Sequence, residues 1–374
     1  MAAAVLGGCA STELDYYWQS ASGHLSMLSA ARPVPDWLEG AQAPDKLKER
    51  LALSQRIRRF ASAALHLPDN ASYTRYADLG RSAVIWNVVA APPLSLKLET
   101  SCFPVVGCVG YRGYFNEGAA RARAQQLRAQ GLEASVYPVP AYSTLGWLNW
   151  AGGDPLLNTF IHYPEGELAR LIFHELSHQV LYVRNDTTFN ESFATAVERL
   201  GVRQYLASAA SGAAPEEFGE FTRRRTEFRA LVRATREQLR DIYEDKAAGQ
   251  ERQHARKEEA MRAFREAYAR MRAGWSGDPA RFRNSDRWVS EANNASFGAQ
   301  AAYDELVPGF EALFEREGRD WPRFYEAARR MSALPKDERH RVLKELAAAA
   351  AAEPAPVPRE AGSDRAAALT PATR

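Results

Sequence analysis

Nowhere in the 374 residues is there a run of about 18 apolar side chains, the length a membrane-crossing helix needs. The chain also lacks an excess of either charge. Its 48 Lys and Arg face 46 Asp and Glu, a formal net charge of +2. Such a balance exerts no global attraction on nucleic acid or an acidic membrane, and nucleic acid is not an expected partner. Cysteine is scarce, with three in the chain, which excludes a disulfide-built scaffold. A chain this long can bury a sizeable core without such staples. No internal repeat is present. What remains is ordinary globular composition, 46% hydrophobic and 25% charged, which argues against wholesale disorder.

The three cysteines fall in informative places. Leu6-Gly7-Gly8-Cys9 resembles a bacterial lipobox, which makes Cys9 the candidate lipidation site and residues 1–9 the remnant of a signal. The charged region and most of the apolar stretch of such a signal are absent. Either translation starts upstream of Met1 or the terminus is merely Ala-rich. On the lipoprotein reading, Ala10 carries no inner-membrane retention signal, so the expected location is the bacterial cell envelope, on the periplasmic side of the outer membrane. Cys102 and Cys108 flank a turn containing Pro104 and Gly107, and in an oxidising compartment this spacing permits a local disulfide.

Hydrophobic periodicity divides the chain. Residues 12–66 read as helices broken at Pro33-Val34-Pro35. Val84-Ile85-Trp86-Asn87-Val88-Val89 reads as a strand, and Leu94, Leu96 and Leu98 as another beyond Pro92-Pro93. A helix is expected over 112–131, strands over 134–139 and 156–163, and helices over 165–183 and 190–207. Phe218 to Ile242 and Met261 to Trp275 form the two arms of a long antiparallel helical hairpin with a charged surface. Helices over 288–314 and 322–331 follow, and the Ala- and Pro-rich residues 347–374 are expected to be a disordered tail. The expected fold is α+β and mainly helical with a small sheet. Residues 10–346 would form one domain, with a core at about 82–207, the hairpin at about 213–275 and C-terminal helices at about 286–346.

The chemistry concentrates in His174-Glu175-Leu176-Ser177-His178, an H-E-x-x-H pentad inside the helical 165–183 segment. One turn of helix separates the histidines, so both imidazoles project from one face and can share a metal ion. Glu175 is placed to hold a water and take its proton. A catalytic zinc site needs a third protein ligand and an open position. The segment Phe189 to Glu198 supplies two candidates, Glu191 and Glu198.

His174 to Gln179 followed by Asn190-Glu191-Ser192-Phe193-Ala194 resembles the zinc site of gluzincin metallopeptidases, some of which carry a similar Asn-Glu-x-Phe-Ala helix. That resemblance implies His174, His178 and Glu191 as ligands of one Zn(2+) per chain, with Glu175 as general base. Two features depart from it. Only twelve residues separate His178 from Glu191, and the Gly-x-Met-Glu-Asn element that reads substrate amino termini is absent. A wider resemblance, carried by Cys108 to Phe115, Tyr142 to Trp147, the zinc motif, Asn293-Asn294-Ala295 and Tyr303, runs from about Cys9 to Met331. It is to a bacterial family of zinc aminopeptidases, many of them predicted lipoproteins.

The expected function is therefore zinc-dependent peptide hydrolysis, with a peptide as the partner and an aminopeptidase as the specific reading. Tyr303 is the candidate oxyanion donor. Asn293 and Asn294 are candidates for holding the substrate backbone, and Thr195 or Glu198 for orienting a ligand imidazole. The Tyr142–Trp147 segment could pair with an extended peptide or form a plain aromatic turn. No carboxylate is singled out to grip a substrate ammonium. The alternatives are a periplasmic endopeptidase and a non-catalytic zinc-containing envelope scaffold. Retention of Glu175 favours an enzyme over the scaffold, because structural zinc needs no general base.

Overall fold

Prolines and capping side chains set most of the element boundaries. The computed structural model describes residues 6–352 apart from 42, 104–106, 142, 148, 209–214 and 278, and omits the side chains of 6–15, 215–218, 221, 280–281 and 301–304. The first part comprises α1 (Leu6–Ala30), β1 (Arg32–Pro33), α2 (Val34–Glu39), α3 (Asp45–Leu65) and β2 (Arg75–Ala77). Next come β3 (Ile85–Ala91), β4 (Ser101–Phe103), β5 (Gly107–Val109), β6 (Arg112–Tyr114), α4 (Glu117–Ala129), β7 (Glu133–Val139) and β8 (Leu156–Leu157). The remainder is helical: α5 (Glu165–Val180), α6 (Thr187–Leu206), α7 (Pro215–Glu244), α8 (Gln250–Ala273), α9 (Arg283–Glu291), α10 (Asn294–Asp304), α11 (Val307–Arg316), α12 (Trp321–Ser332) and α13 (Lys336–Ala352). The protein is mainly helical with small sheets, in line with the α+β expectation.

Local chemistry accounts for the differences from the sequence pattern. Leu94, Leu96 and Leu98 are not in a strand. Pro92 and Pro93 carry no N–H to donate to a ladder, and the leucines pack against other elements instead. The expected 112–131 helix begins at Glu117, after β6, because Asn116 caps it by accepting from Ala119 N. Only Leu156 and Leu157 of the expected 156–163 strand are extended. Asn158 then holds the following turn with hydrogen bonds to Leu79 N and Arg81 O. The expected 288–314 helix is three helices, divided where Asn293 caps α10 and Pro308 enters the first turn of α11. At the other end of the chain, α13 continues through the alanine run to Ala352, past the expected boundary at 346.

The sheet that matters for the site has the order β6-β3-β7, antiparallel throughout, with every residue of β3 buried. Alternation along β3 gives its two faces different work. Trp86, Val88 and Ala90 pack against Ala120, Ala124 and Leu127 of α4. Val89 and Ala91 face Ala295 of α10 and the rings of Tyr111 and Tyr137. The largest core lies between α3, α5, α6 and α11–α13, and α7–α8 enclose a second cluster of their own.

Candidate metal centre and its cavity

Helix α5 buries Leu168, Ala169, Ile172, Phe173 and Leu176 completely. The 3.6-residue period then leaves His174, Glu175 and His178 on the side facing a cavity. Helix α6 runs back antiparallel, as the Glu165–Tyr205 and His174–Glu198 contacts show. The turn between them is fixed by Asn190, whose Oδ1 accepts from Val183 N at 2.7 Å and whose Nδ2 donates to Val183 O at 2.8 Å. Asp186 caps α6 by accepting from Phe189 N. These contacts bring Glu191 against both histidines, with His174 Nε2–Glu191 Oε2 at 3.3 Å and His178 Nε2–Glu191 Oε1 at 3.8 Å.

Ligand atoms from His174, His178 and Glu191 all lie within 4.8 Å of one another. Two imidazoles and one carboxylate are the donor set of a three-ligand catalytic zinc site. The electrostatics fit a cation as well. Burial lowers the His178 imidazole to about 4 despite Glu191, so it stays neutral with a lone pair to donate. Burial opposes ionisation of Glu191, but its contacts to His174 and His178 hold its carboxyl below the ordinary range. Burial also lowers His174, yet Glu191 and Glu198 raise it well above the ordinary imidazole value, so these carboxylates draw positive charge to this point.

The back of the site is equally organised. Glu198 Oε2 lies 3.0 Å from His174 Nδ1, so a proton on Nδ1 leaves Nε2 free to ligate. Desolvation works against the Glu198 carboxylate, but the His174 hydrogen bond and the charges of His174, Arg170 and Arg225 hold it at about 2. Arg170, itself buried, stands 3.8 Å from Glu198 and 3.5 Å from Glu167, and Arg225 on α7 reaches Glu167 at 3.0 Å. Desolvation pushes the Glu175 carboxyl up to about 7, and Glu191, Asp154 and Glu198 add to the rise against the attraction of His174.

The cavity has a volume of about 370 Å³, and Tyr111, Tyr182 and Asn87 join the metal-site residues in its lining. A polar network holds residues 143–147 and 149–153 on the side of the cavity that Glu175 lines. Asn70 Nδ2 donates to Gln179 Oε1, Gln179 Nε2 donates to Ser72 Oγ, and Ser72 Oγ donates to Asn149 Oδ1. Both carboxylate oxygens of buried Asp154 accept from Thr144 N. Leu145 and Gly146 are both left-handed, with φ of 56° and 79°, and that sharp turn directs Leu145 into the cavity. On the opposite side, Cys102 and Cys108 are joined by a disulfide across the β4–β5 register, and Cys108 N donates to Asn185 Oδ1 in the α5–α6 turn.

Of the residues singled out in the sequence, His174, Glu175, His178, Glu191 and Glu198 come together. Thr195 is buried on α6, and it is Glu198 that meets the imidazole. Asn293 and Asn294, the candidates for holding a substrate backbone, are not among the residues lining the cavity. Asn293 accepts from Ser296 N as the α10 cap. Asn294 donates to Pro92 O and Pro93 O and accepts from Tyr243 Oη, which ties α10 to the β3 exit and to α7. Tyr303 lies in α10 and Cys9 in α1, but both side chains fall outside the described residues, as does Tyr142 of the segment considered for peptide pairing. His340 has no partner nearby in sequence, yet it meets Asp186 at 2.9 Å.

Sequence reasoning missed Asn87, Tyr111 and Tyr182 as cavity residues. Asn87 carried a signal as a single amide inside an apolar strand, and Tyr111 lies in the Cys108–Phe115 segment that carries the wider resemblance. No local pattern marks Tyr182 as a cavity residue. Residues 15–343 match the family model Aminopep, described as "Putative aminopeptidase". No curated protein and no solved structure matches the chain.

Proposed function

The chain belongs to this aminopeptidase family, and within it we propose that the protein is a zinc-dependent peptidase with a gluzincin-like core. The observation that carries the reading is the His174, His178 and Glu191 donor cluster sharing one cavity with Glu175. When bound, the ion supplies a Lewis acid that polarises the scissile carbonyl and acidifies water. Glu198 keeps the His174 ring oriented with Nε2 toward the cluster. Glu175 takes the proton from the attacking water and returns it to the departing amine nitrogen.

Charge developing on the carbonyl oxygen needs a hydrogen-bond donor in addition. Tyr111 supplies it in this reading. It lines the cavity, and burial together with the charges of Glu191 and Glu175 raises its phenol well above the ordinary value, so it keeps its proton to donate. Tyr182, on the same lining and also raised, is a second donor of the same kind. The Cys102–Cys108 disulfide and the lipobox-like Leu6–Cys9 segment together support an oxidising envelope compartment, with lipid attached at Cys9.

Metal content and hydrolysis measured on one preparation test the reading, with wild type beside Glu175→Gln. One zinc per chain is expected in both. Turnover in the variant should fall by about 100- to 10,000-fold, the range for losing a positioned general base. Cleavage of N-blocked peptides would make the enzyme an endopeptidase. A protein without metal, purified in the absence of chelators, would leave the zinc reading without support.

A further inference from the structure

Asn87 stands at the middle of β3 between Trp86 and Val88, and it is only 6% exposed. Its Nδ2 donates to Tyr137 Oη at 3.3 Å, whereas its Oδ1 is buried without a hydrogen-bond partner among the described residues. Buried polar oxygens are nearly always paired, and this one belongs to a residue lining the metal-site cavity. Gly113 is its register partner on β6. A Cβ at that position would come within 3.2 Å of Oδ1 and 3.3 Å of Ile85 Cδ1, so glycine leaves the room that the Asn87 amide occupies. Among the described lining residues the carboxylates are Glu175 and Glu191, both already committed to the metal and the attacking water.

The same cavity is walled by α1, through Tyr16, Tyr17 and Ser20. The helix is firmly seated. The Arg112 guanidinium lies 3.8 Å over the Tyr16 ring, and Gln19 Oε1 accepts from Phe115 N at 2.9 Å. Gly23 approaches Phe115 so closely that a Cβ would fall 2.3 Å from its ring. A cavity of about 370 Å³ is near the small end of ligand pockets.

We propose that Asn87 Oδ1 accepts a hydrogen bond from the α-ammonium of a peptide's first residue, while α1 blocks any extension beyond it. This rests on the zinc-peptidase reading and deepens it, because it defines the substrate as a peptide with a free amino terminus. A neutral carboxamide is an unusual grip for a cation. It follows that a carboxylate at the same position is tolerated, whereas an apolar group is not.

Calorimetric binding to the zinc-loaded protein tests this without catalysis, using leucine hydroxamate and its N-acetyl derivative as probes. Wild type is expected to prefer the free amine by about tenfold or more, the scale of one hydrogen bond to a charged group. Asn87→Ala should abolish that preference and Asn87→Asp should keep it. Gly113→Ala, whose Cβ would press on Oδ1 while keeping the Asn87 side chain, should reduce the preference, which covers the case of Asn87→Ala failing to fold. Equal binding of both probes to wild type overturns the proposal. So does a preference that survives Asn87→Ala, or one lost in Asn87→Asp because the exposed group is the amide nitrogen. If neither hydroxamate binds, or zinc itself is not held, the peptidase reading fails and this inference falls with it.

Discussion

Two antiparallel helix pairs, α5–α6 and α7–α8, solve the same packing problem with opposite use of charge. The α7–α8 pair keeps Leu239, Ile242, Phe264 and Tyr268 inside, and exposes pairs such as Arg223–Glu227 and Arg256–Asp245. The α5–α6 pair buries Arg170, His178 and Glu198, none more than 7% exposed. Interior charge costs several kcal/mol per ion in desolvation and gives a fold little net stability. On the proposed reading, α5–α6 accepts that cost to hold the donor cluster, whereas α7–α8 avoids it. The two pairs meet where Arg225 of α7 reaches Glu167 of α5, so part of the charge balance of the site is supplied by the hairpin.

The comparison is broken most forcefully at Glu198. Glu198→Ala would leave the His174 Nδ1 proton buried without its acceptor and remove one of the two carboxylates beside buried Arg170, the other being Glu167. We expect a stability loss of about 3 kcal/mol by denaturant titration. Zinc affinity should also fall by about 10- to 100-fold in a chelator competition. Unchanged zinc affinity would show that the charges of α5–α6 serve packing after all.

Asp186 sharpens the contrast at the α5–α6 turn. Its side chain is fully buried against His340 at 2.9 Å and Arg339 at 3.0 Å of α13. Burial raises this carboxyl, but the hydrogen bond and charge of His340, the Phe189 N–H and Lys336 outweigh it and leave the group below the ordinary range. A carboxyl depressed in the folded state adds stability above its unfolded value, near pH 4, and loses that contribution as pH falls through its folded value. Asp186→Asn should therefore cost about 2 kcal/mol at pH 7, and the gap to wild type should close below about pH 4. Denaturant midpoints across that range would check it, and a gap independent of pH would contradict the assignment. The smallest effect belongs to the hairpin surface. Arg223→Ala, which removes one side of an exposed i,i+4 pair, should change stability by less than about 0.5 kcal/mol in the same titration.

Much of this was legible in the sequence, and the reason differs from element to element. The hairpin could be read because amphipathic periodicity is a local property, and the β4–β5 disulfide because its cysteines are close along the chain. The split of residues 288–314 into α9, α10 and α11 was missed because hydrophobic period alone does not register a capping asparagine. The mistaken Leu94–Leu98 strand has a similar origin, since the pattern of leucines outvoted the two prolines before it. Asn293 and Asn294, candidates for a substrate contact in the sequence, hold α10 in place. A polar side chain looks the same in sequence whether it meets a ligand or the protein's own backbone.

The sequence by itself determined that His174 and His178 share one face, because a helix places residues four apart on the same side whatever surrounds it. It also determined which segments bury apolar faces. Only the tertiary structure decided that Glu191 meets both Nε2 atoms while Glu198 meets Nδ1. It likewise decided that Asn87 of a strand and Tyr16, Tyr17 and Ser20 of α1 line the same cavity. These outcomes depend on how helices and sheet pack across long sequence separations, which no local pattern encodes.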